Sequence, residues 1–500
     1  MLKKNIPFFL FLFITLHLNA QNQKRPNIIL FLIDDMGWMD SSVPFGDSVG
    51  ILNKQFKTPN LALLAKQGVK FTNAYANSVC TPTRTSILTG MNVTHHGVTN
   101  WTSPVKNNTT DAKDAQFNPA PWKINGVEIN SITTYPQILK QAGYYTIHVG
   151  NAHWGSAGTP MSNPLNLGFM VNIAGHAAGH PQSYYGSDNY GNIPGKSTYQ
   201  SVPDLMNYHG SDTNLTEALT LEAIKSLEEP IRLKMPFYLN MAHYAVHVPI
   251  QPDVLFYQSY LEEGLDTANA KYASMVASMD KSLGDIMKFL SAKDIAKNTI
   301  IIFMSDNGGL SLGGARGKIA HVQNLPLRAG KGSMYEGGIR VPMIVKWPEV
   351  VKSNSTIHQY VIAEDFFPSI LAMAGVSNFK TIQKVDGKSF VPLLKNNTIT
   401  DTNRILVWHY PNKWVDGDGP AINYKSAIRQ GSWKLIYDLR NGHKELYNLS
   451  YDIGEHFDLS MQQPAKTKQL TLKLKEILEK NNAPMPSYKL NSKKVEILID

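Results

Sequence analysis

Two pairs of adjacent oxygen-bearing side chains could hold a metal ion. Asp34-Asp35 is the first pair and Asp306-Asn307 is the second. Neighbouring carboxylates repel each other unless a cation lies between them, so they are unsuited to a packed core. Carboxylate and amide oxygens suit Ca²⁺ or Mg²⁺ better than zinc. Asp and Asn also cap helices, which is the alternative for each pair alone. Together the pairs predict a Ca²⁺ site, with Mg²⁺ as the second possibility.

Cys80 is the only cysteine in the 500 residues, and it opens the stretch Cys80-Thr-Pro-Thr-Arg84. A single cysteine rules out an internal disulfide, so the core must stabilise the fold. A lone cysteine is often a small buried hydrophobic residue. Residues 85–90 continue the stretch as a predicted helix, which places Arg84 one turn after Cys80. The thiol is therefore a candidate for chemistry.

The candidate metal ligands follow segments that we predict to be buried strands. Unbroken apolar runs are typical of strands covered on both faces, in a parallel sheet or at its centre. The predicted strands are Ile28–Ile33, Tyr144–Val149, Pro236–Met241 and Thr299–Met304. In open α/β sheets the ligand site lies beyond the carboxyl ends of the strands. Both acidic pairs are therefore expected at one site.

Segments with helical spacing separate these strands. Helices are predicted over residues 60–68 and 136–143, and a long amphipathic helix is predicted from Tyr272 to Leu290. This alternation predicts an α/β fold with a large, doubly wound, mixed or parallel sheet. Residues 101–130 and 155–205 are rich in Gly, Asn, Ser and Pro and are predicted to be long irregular insertions, which often carry function.

The chain changes character near residue 400. Residues 405–409 and 427–437 are predicted strands, Asn441-Gly442 predicts a hairpin turn, and residues 470–478 predict a helix. We predict a signal peptide over residues 1–20, a catalytic α/β domain over 21–399, a smaller α+β domain with an antiparallel sheet over 400–490, and a tail over 491–500.

The N-terminal sequence predicts export. Lys3 and Lys4 precede an apolar run over residues 6–18, and Ala20 provides a small residue at the cleavage point, as in a secretory signal peptide. No later stretch is long and apolar enough to span a bilayer, so we expect a periplasmic or secreted protein without stable membrane insertion. The net charge of +9 suits an anionic partner. No dense run of Lys and Arg indicates a nucleic-acid site.

The chain resembles the formylglycine-dependent (type I, arylsulfatase-like) sulfatases of the alkaline-phosphatase superfamily. Cys80-Thr-Pro-Thr-Arg84 matches the family pattern C-x-P-x-R. Three further stretches resemble family motifs: Asn240–Pro249, Leu327–Pro342 and Ile428–Tyr437. The similarity spans roughly residues 25–460 and implies an alkaline-phosphatase-like catalytic fold.

The resemblance implies that a separate maturation enzyme oxidises Cys80 to formylglycine (3-oxoalanine). An exported chain can keep this thiol because conversion removes a group that is a liability in an oxidising compartment. A hydrated aldehyde carries two hydroxyls: one attacks sulfur and expels the sugar alcohol, and the other loses its proton as sulfate leaves. The implied cation polarises the reacting oxygens. Its implied ligands are Asp34, Asp35, residue 80, Asp306 and Asn307.

The family motifs also imply catalytic roles. His247 would protonate the leaving alkoxide, and Lys331 would bind a sulfate oxygen. Arg84 would hold the hydrate and the metal ligands in place. His153 would act as the base when the aldehyde forms again. Glu336 and Arg340 are implied to be structural.

One position departs from the family pattern. Gly150-Asn-Ala-His153 stands where the family usually has G-K-x-H. Asn151 thus replaces a lysine that would contact the sulfate, and an amide donates hydrogen bonds without a charge. We keep Asn151 and His95, which follows the Cys80 helix, as candidate substrate-binding residues. His176, His180, Tyr184 and Tyr185, in the second insertion, could contact sugar.

These features favour an exported sulfatase acting on a sulfated poly- or oligosaccharide. Algal polymers such as ulvan or carrageenan, glycosaminoglycans and mucin glycans are the candidate substrates, and a basic surface suits such polyanions. One alternative is a phosphonate monoester or phosphodiester hydrolase of the same superfamily. The other is an inactive sulfated-glycan binder, which the change to Asn151 suggests.

Overall fold

The computed structural model describes residues 25–110, 113–311, 316, 319–414 and 420–499. The strands are β1 (Asn27–Ile33), β2 (Val69–Tyr75), β3 (Phe117–Asn118), β4 (Tyr145–Gly150), β5 (Val171–Ile173), β6 (Phe237–Ala242), β7 (Thr299–Ser305), β8 (Arg340–Lys346), β9 (Ser355–Ile357), β10 (Val361–Ile362), β11 (Ile405–Tyr410), β12 (Lys425–Gln430), β13 (Trp433–Asp438), β14 (Lys444–Asn448) and β15 (Ser487–Tyr488).

Eleven α-helices connect or cover these strands in the described ranges, with short 3₁₀ turns between them. They are α1 (Pro59–Gln67), α2 (Cys80–Thr89), α3 (Val93–His96), α4 (Tyr135–Gln141), α5 (Leu215–Arg232), α6 (Val254–Glu262), α7 (Thr267–Ala292), α8 (Glu336–Ile339), α9 (Phe366–Met373), α10 (Val391–Lys395) and α11 (Pro464–Lys480).

A nine-stranded mixed sheet forms the centre of the fold, in the order β10-β2-β8-β7-β1-β6-β4-β5, with β9 beside β2. Strands β7, β1, β6, β4 and β5 run parallel, whereas β8 is antiparallel to both β7 and β2. The four predicted strands are confirmed as β1, β4, β6 and β7. The predicted large mixed α/β sheet is confirmed as well.

Strand β1 shows why apolar runs form the middle of this sheet. All seven of its residues are buried. Ile28, Leu30 and Leu32 join the hydrophobic core on one side of the sheet, while Ile29 and Phe31 join the core on the other side. Because both faces are covered by helices, both alternating sets must be apolar. Because β7, β1, β6 and β4 are parallel neighbours, their carboxyl ends meet at one buried edge of the sheet.

The predicted signal peptide lies outside the described residues. Within the described ranges, we find no helix whose length and apolar character would let it cross a membrane.

A second sheet follows near the C terminus, with the antiparallel order β11-β12-β13-β14. The predicted hairpin at Asn441-Gly442 is confirmed, since it joins β13 to β14. The single strand predicted over residues 427–437 is wrong: the chain turns at Gly431, whose φ is +60°, and makes two strands. Residues Leu470, Leu474 and Leu478 of α11 pack against this sheet. The domain boundary at residue 400 stays a prediction.

A buried charge cluster joins the two sheets. Lys434 on β13 lies 2.8 Å from a carboxylate oxygen of Glu336 and 2.8 Å from one of Glu455, and all three side chains are inaccessible to solvent. The second oxygen of Glu336 accepts a hydrogen bond from Arg340 at 2.6 Å. Because each buried charge is held by another, removing one leaves the rest uncompensated.

We expect Lys434→Met to lower the free energy of unfolding by about 3–5 kcal/mol, because two buried carboxylates would lose their shared cation. Urea unfolding would measure the change. Lys473→Met is the matched control, since Lys473 pairs with Glu476 at the surface of α11 and should shift the curve little. Equal losses in the two variants would contradict this account of the junction.

Candidate active site

Residue 80 lies at the first position of helix α2, beside the carboxyl edge of the central sheet. Pro82 fits the first turn of this helix because its missing N–H has no intrahelical partner to lose. Every residue from Cys80 to Thr89 is buried. Arg84, four positions after Cys80, therefore projects from the same side of the helix into the protein interior.

Arg84 connects three loops at the sheet edge. Its Nε donates to Oδ2 of Asp306 at 2.9 Å, and its Nη2 donates to Oδ2 of Asp34 at 3.0 Å. Its Nη1 donates to the backbone oxygen of Asn151 at 2.5 Å. Burial alone would lower the pKa of Arg84, but Asp306 and Asp34 raise it, so the guanidinium stays charged. The side chain can thus fix two of the predicted metal ligands in place.

The predicted metal ligands come together in the structure and fit a divalent cation. Oxygens of Asp34 and Asp35 and a ring nitrogen of His247 lie within 4.8 Å of one another. Oδ1 of Asp34 and Oδ1 of Asn307 are buried without a hydrogen-bond partner among the described residues. Such orphaned oxygens suit a hard cation. The side chain of Asp306 completes the group, since its Oδ1 accepts from the backbone N–H of Asp35.

The pKa values of Asp34 and Asp35 are shifted in opposite directions. Burial raises the pKa of Asp34 well above its usual range, and repulsion by Asp306 adds to this. Burial would also raise the pKa of Asp35, but Lys331 and His247 bring it down to about 2. Lys331 Nζ lies 2.6 Å from Oδ1 of Asp35. A further positive charge beside Asp34 would therefore stabilise its ionised form.

Cys80 and His153 contact each other. Sγ of Cys80 lies 3.3 Å from Nδ1 of His153, and Nε2 of His153 lies 2.9 Å from the carbonyl oxygen of Thr102. Because that carbonyl can only accept, Nε2 carries the proton and the lone pair of Nδ1 faces residue 80. Burial raises the pKa of Cys80 to about 12 and lowers that of His153 to about 3. The thiol itself is thus a poor nucleophile, and the His153 ring is neutral with its Nδ1 lone pair directed at residue 80.

His247 faces Asp35 from the loop after β6. Its Nδ1 lies 3.0 Å from the carbonyl oxygen of Val248 and therefore carries a proton, which leaves Nε2 3.6 Å from Oδ2 of Asp35. Burial, with the charge of Lys331, lowers the pKa of His247 to about 3. Nε2 is therefore the atom through which this ring can exchange a proton.

A cavity of about 230 Å³ opens onto these groups. Its lining includes the predicted residues Cys80, His153, His247 and Lys331. The other lining residues are Trp101, Thr102, Pro104, Gly179, His180, Gln200 and Trp414. Of these the sequence had indicated His180 alone. Most of the remaining lining residues lie in the two predicted insertions. There the only sequence feature that could have indicated them was the occurrence of aromatic residues within Gly-rich stretches.

Two candidate substrate ligands have hydrogen-bond donors engaged elsewhere. Both N–H bonds of the Asn151 amide are used: Nδ2 lies 2.6 Å from Oδ2 of Asp34 and 2.9 Å from the carbonyl oxygen of Gly179. No N–H remains for a sulfate oxygen in this arrangement. Nδ1 of His95 lies 2.8 Å from Asp386, and His95 does not line the cavity. The structure brings Asn151 into the site and leaves His95 outside it.

Gly179 allows the insertion to approach His153 closely. A Cβ at Gly179 would lie 2.3 Å from Cε1 and 2.4 Å from Nδ1 of His153. Since the His153 ring is fixed by Thr102 and residue 80, we expect Gly179→Ala to displace it and to lower kcat/KM about 10²-fold. Steady-state kinetics would measure this. Gly195→Ala is the control within the same insertion: a Cβ there meets nothing within 4 Å, and the strain of its φ of +76° is expected to lower stability without displacing the site. Similar activities of the two variants would contradict the steric argument.

Comparisons with known proteins match most of the chain. The family model "Sulfatase" matches residues 26–376, and the model "N-sulphoglucosamine sulphohydrolase, C-terminal" matches residues 329–483. A sulfatase of Formosa agariphila is 30% identical over 95% of this chain and 92% of its own length. N-acetylgalactosamine-6-sulfatase of Mus musculus is 30% identical over 89% of this chain and 84% of its own.

A solved structure gives the same result. Ps i-CgsB in complex with k-i-k-neocarrahexaose superposes with a TM-score of 0.72 and 27% identity, covering 91% of this chain and 93% of that chain. The fold, the cavity and these similarities confirm the resemblance that the sequence indicated. The chain belongs to the sulfatase family and is a sulfuric ester hydrolase.

Proposed function

We propose that the protein hydrolyses sulfate esters on a sulfated poly- or oligosaccharide, using formylglycine made from Cys80 by a maturation enzyme. The observation that carries the proposal is the convergence of Cys80, His153, His247 and Lys331 on one cavity above the buried carboxylates. Relatives named for carbohydrate sulfates, and the carbohydrate complex of Ps i-CgsB, support a glycan substrate. The candidates are algal polymers such as carrageenan or ulvan, glycosaminoglycans and mucin glycans.

Formylglycine supplies, as its hydrate, a hydroxyl that attacks sulfur and a second hydroxyl whose deprotonation lets sulfate leave. The thiol of Cys80 carries no hydroxyl, and burial keeps it protonated by raising its pKa to about 12. His153 presents its Nδ1 lone pair to residue 80 and takes the proton of the second hydroxyl. Thr102 holds the ring in the tautomer that this step needs.

The remaining residues bind the ester and assist the leaving group. Lys331 carries a buried ammonium at the cavity wall and attracts a sulfate oxygen. His247, which also lines the cavity, takes up a proton at Nε2 when the anionic ester binds and delivers it to the sugar oxygen as the S–O bond breaks. Arg84 keeps Asp34 and Asp306 aligned beneath them.

A divalent cation, Ca²⁺ or Mg²⁺, would be held by Asp34, Asp35, Asp306, Asn307 and residue 80. It would supply positive charge that polarises the sulfate and the nucleophilic oxygen. The unpartnered oxygens of Asp34 and Asn307 support this ligand set. We also propose that the predicted signal peptide directs the protein to the periplasm or the exterior, where such polymers are found.

A substrate panel tests the proposal. Protein co-expressed with a maturation enzyme is incubated with 4-nitrophenyl sulfate, with the 4- and 6-sulfates of galactose and N-acetylgalactosamine, and with carrageenan, ulvan and chondroitin sulfate oligosaccharides. Phenyl phosphonate monoesters and bis(4-nitrophenyl) phosphate run beside them. Inorganic sulfate released from one glycan class is the expected result. Hydrolysis of the phosphorus esters alone would favour the phosphonate or phosphodiester hydrolase, and binding of a glycan without any turnover would favour the inactive binder.

A further inference from the structure

The dipeptide Gly179-His180 enters the site from the second insertion, and the chemistry described above gives His180 no task. His180 lines the cavity together with residue 80 and Lys331. Its ring stacks on that of His247, with centroids 5.5 Å apart and planes within 6°. The two rings are therefore parallel neighbours in the lining of the cavity. If His247 is to reach the leaving sugar oxygen, that oxygen must lie close to both rings.

The tautomer of His180 decides what it can bind. Its Nδ1 lies 3.1 Å from the carbonyl oxygen of Pro181, which can only accept, so Nδ1 carries the proton. Its Nε2 has no hydrogen-bond partner among the described residues. Burial lowers the pKa of His180, and the charge of Lys331 adds to this effect, so the neutral ring presents an acceptor. An acceptor repels sulfate oxygens but accepts a hydrogen bond from a hydroxyl.

Asn151 contacts the backbone next to His180. Its amide nitrogen donates to the carbonyl oxygen of Gly179 at 2.9 Å and to Asp34 at 2.6 Å. The amide thus links the carbonyl of Gly179, one residue before His180, to the carboxylate of Asp34. On the other side Gly179 packs directly on the ring of His153. The residue that stands where a lysine was expected is therefore part of the support for His180.

We propose that His180 is a specificity-determining residue whose Nε2 accepts a hydrogen bond from a hydroxyl of the sugar that carries the sulfate ester, and that Asn151 positions it. This inference rests on the proposed function and names a polar contact that selects the sugar. Trp101 and Trp414 line the same cavity. In pockets with apolar walls, a few fixed polar groups set the orientation of the ligand.

The test compares two substrates in each variant. The probes are 4-nitrophenyl sulfate, which has no sugar hydroxyl, and the sulfated monosaccharide of the panel that the wild type cleaves fastest. We expect His180→Ala to lower the ratio of kcat/KM for the sugar over the aryl ester about tenfold. Asn151→Ala should lower the same ratio, and the double variant should fall no further than the lower single variant, because both changes remove one contact.

Deoxygenated sugars and a matched control sharpen the test. Removing the contacted hydroxyl from the sugar should cost the wild type about tenfold and should cost His180→Ala nothing more. His176→Ala is the control from the same insertion: His176 hydrogen-bonds Tyr244 at 2.9 Å and does not line the cavity, so the wild-type ratio is expected.

The outcomes separate the two levels of the argument. An unchanged ratio in His180→Ala, with deoxy sugars discriminated as by the wild type, would overturn the inference while the sulfatase function stands. A lowered ratio in His180→Ala beside an unchanged one in Asn151→Ala would overturn the positioning role of Asn151. Wild-type protein with a confirmed aldehyde that cleaves no sulfate ester would overturn the proposed function, and the inference with it.

Discussion

Replacing Cys80 by serine or alanine is expected to lower sulfate release by at least about 10⁴-fold. Alanine provides no nucleophile. Serine provides one hydroxyl, but a sulfate ester on serine has no second hydroxyl to expel the sulfate, so at most one turnover per molecule is expected. Released sulfate, quantified by ion chromatography, measures the effect.

Ser78→Ala is the control for this experiment, since Ser78 is buried in the same segment and does not line the cavity. Matched melting temperatures would show that the Cys80 variants fold. Repeated turnover by Cys80→Ala would contradict a nucleophile at residue 80. Turnover by Cys80→Ser in which mass spectrometry finds residue 80 to be unoxidised serine would mean that a single hydroxyl is enough, and the aldehyde mechanism would be wrong.

His247→Ala is expected to lower kcat for a sugar sulfate by about 10²–10⁴-fold, the usual contribution of a general acid. A sugar alkoxide is a poor leaving group and needs the proton, whereas 4-nitrophenolate does not. The loss on 4-nitrophenyl sulfate should therefore be much smaller. Burial and Lys331 lower the pKa of His247 to about 3 in the free site. We expect the negative charge of a bound ester to raise this pKa, so that the ring takes up a proton when the substrate binds.

The comparison of the two leaving groups separates catalysis from folding. His243→Gln is the matched control, because His243 is a core residue whose Nε2 lies 2.8 Å from Ser282 and whose ring packs on Phe31. It should lower stability without changing the preference between the two substrates. Equal losses on sugar and aryl sulfates in His247→Ala would contradict the role of His247 as the acid.

The strands and the position of the acidic side chains at the sheet edge could be predicted because local sequence determines them. A buried parallel strand must be apolar on both faces, as β1 is, and its polar neighbours must then lie at the sheet edge. Asp34 and Asp306 follow directly from that rule. The spacing from Cys80 to Arg84 likewise needs only helical geometry.

The insertions could not be predicted in the same way. Their residues are held by contacts distant in sequence, such as that between Asn151 and Gly179 or the stacking of His180 on His247. No periodic pattern indicates such contacts. The turn at Gly431 was missed although residues 429–432 interrupt the apolar pattern. The φ of +60° at Gly431 and the antiparallel pairing of β12 with β13 show two strands.

The central claim is that an aldehyde at residue 80 performs sulfate ester hydrolysis, and one correlation tests it most directly. Preparations made with different amounts of maturation enzyme are analysed by mass spectrometry of the peptide carrying residue 80, and each is assayed for sulfate release. We expect activity to rise in proportion to the aldehyde fraction and to vanish when that fraction is zero. Full activity in protein that retains the thiol at Cys80 would contradict the account.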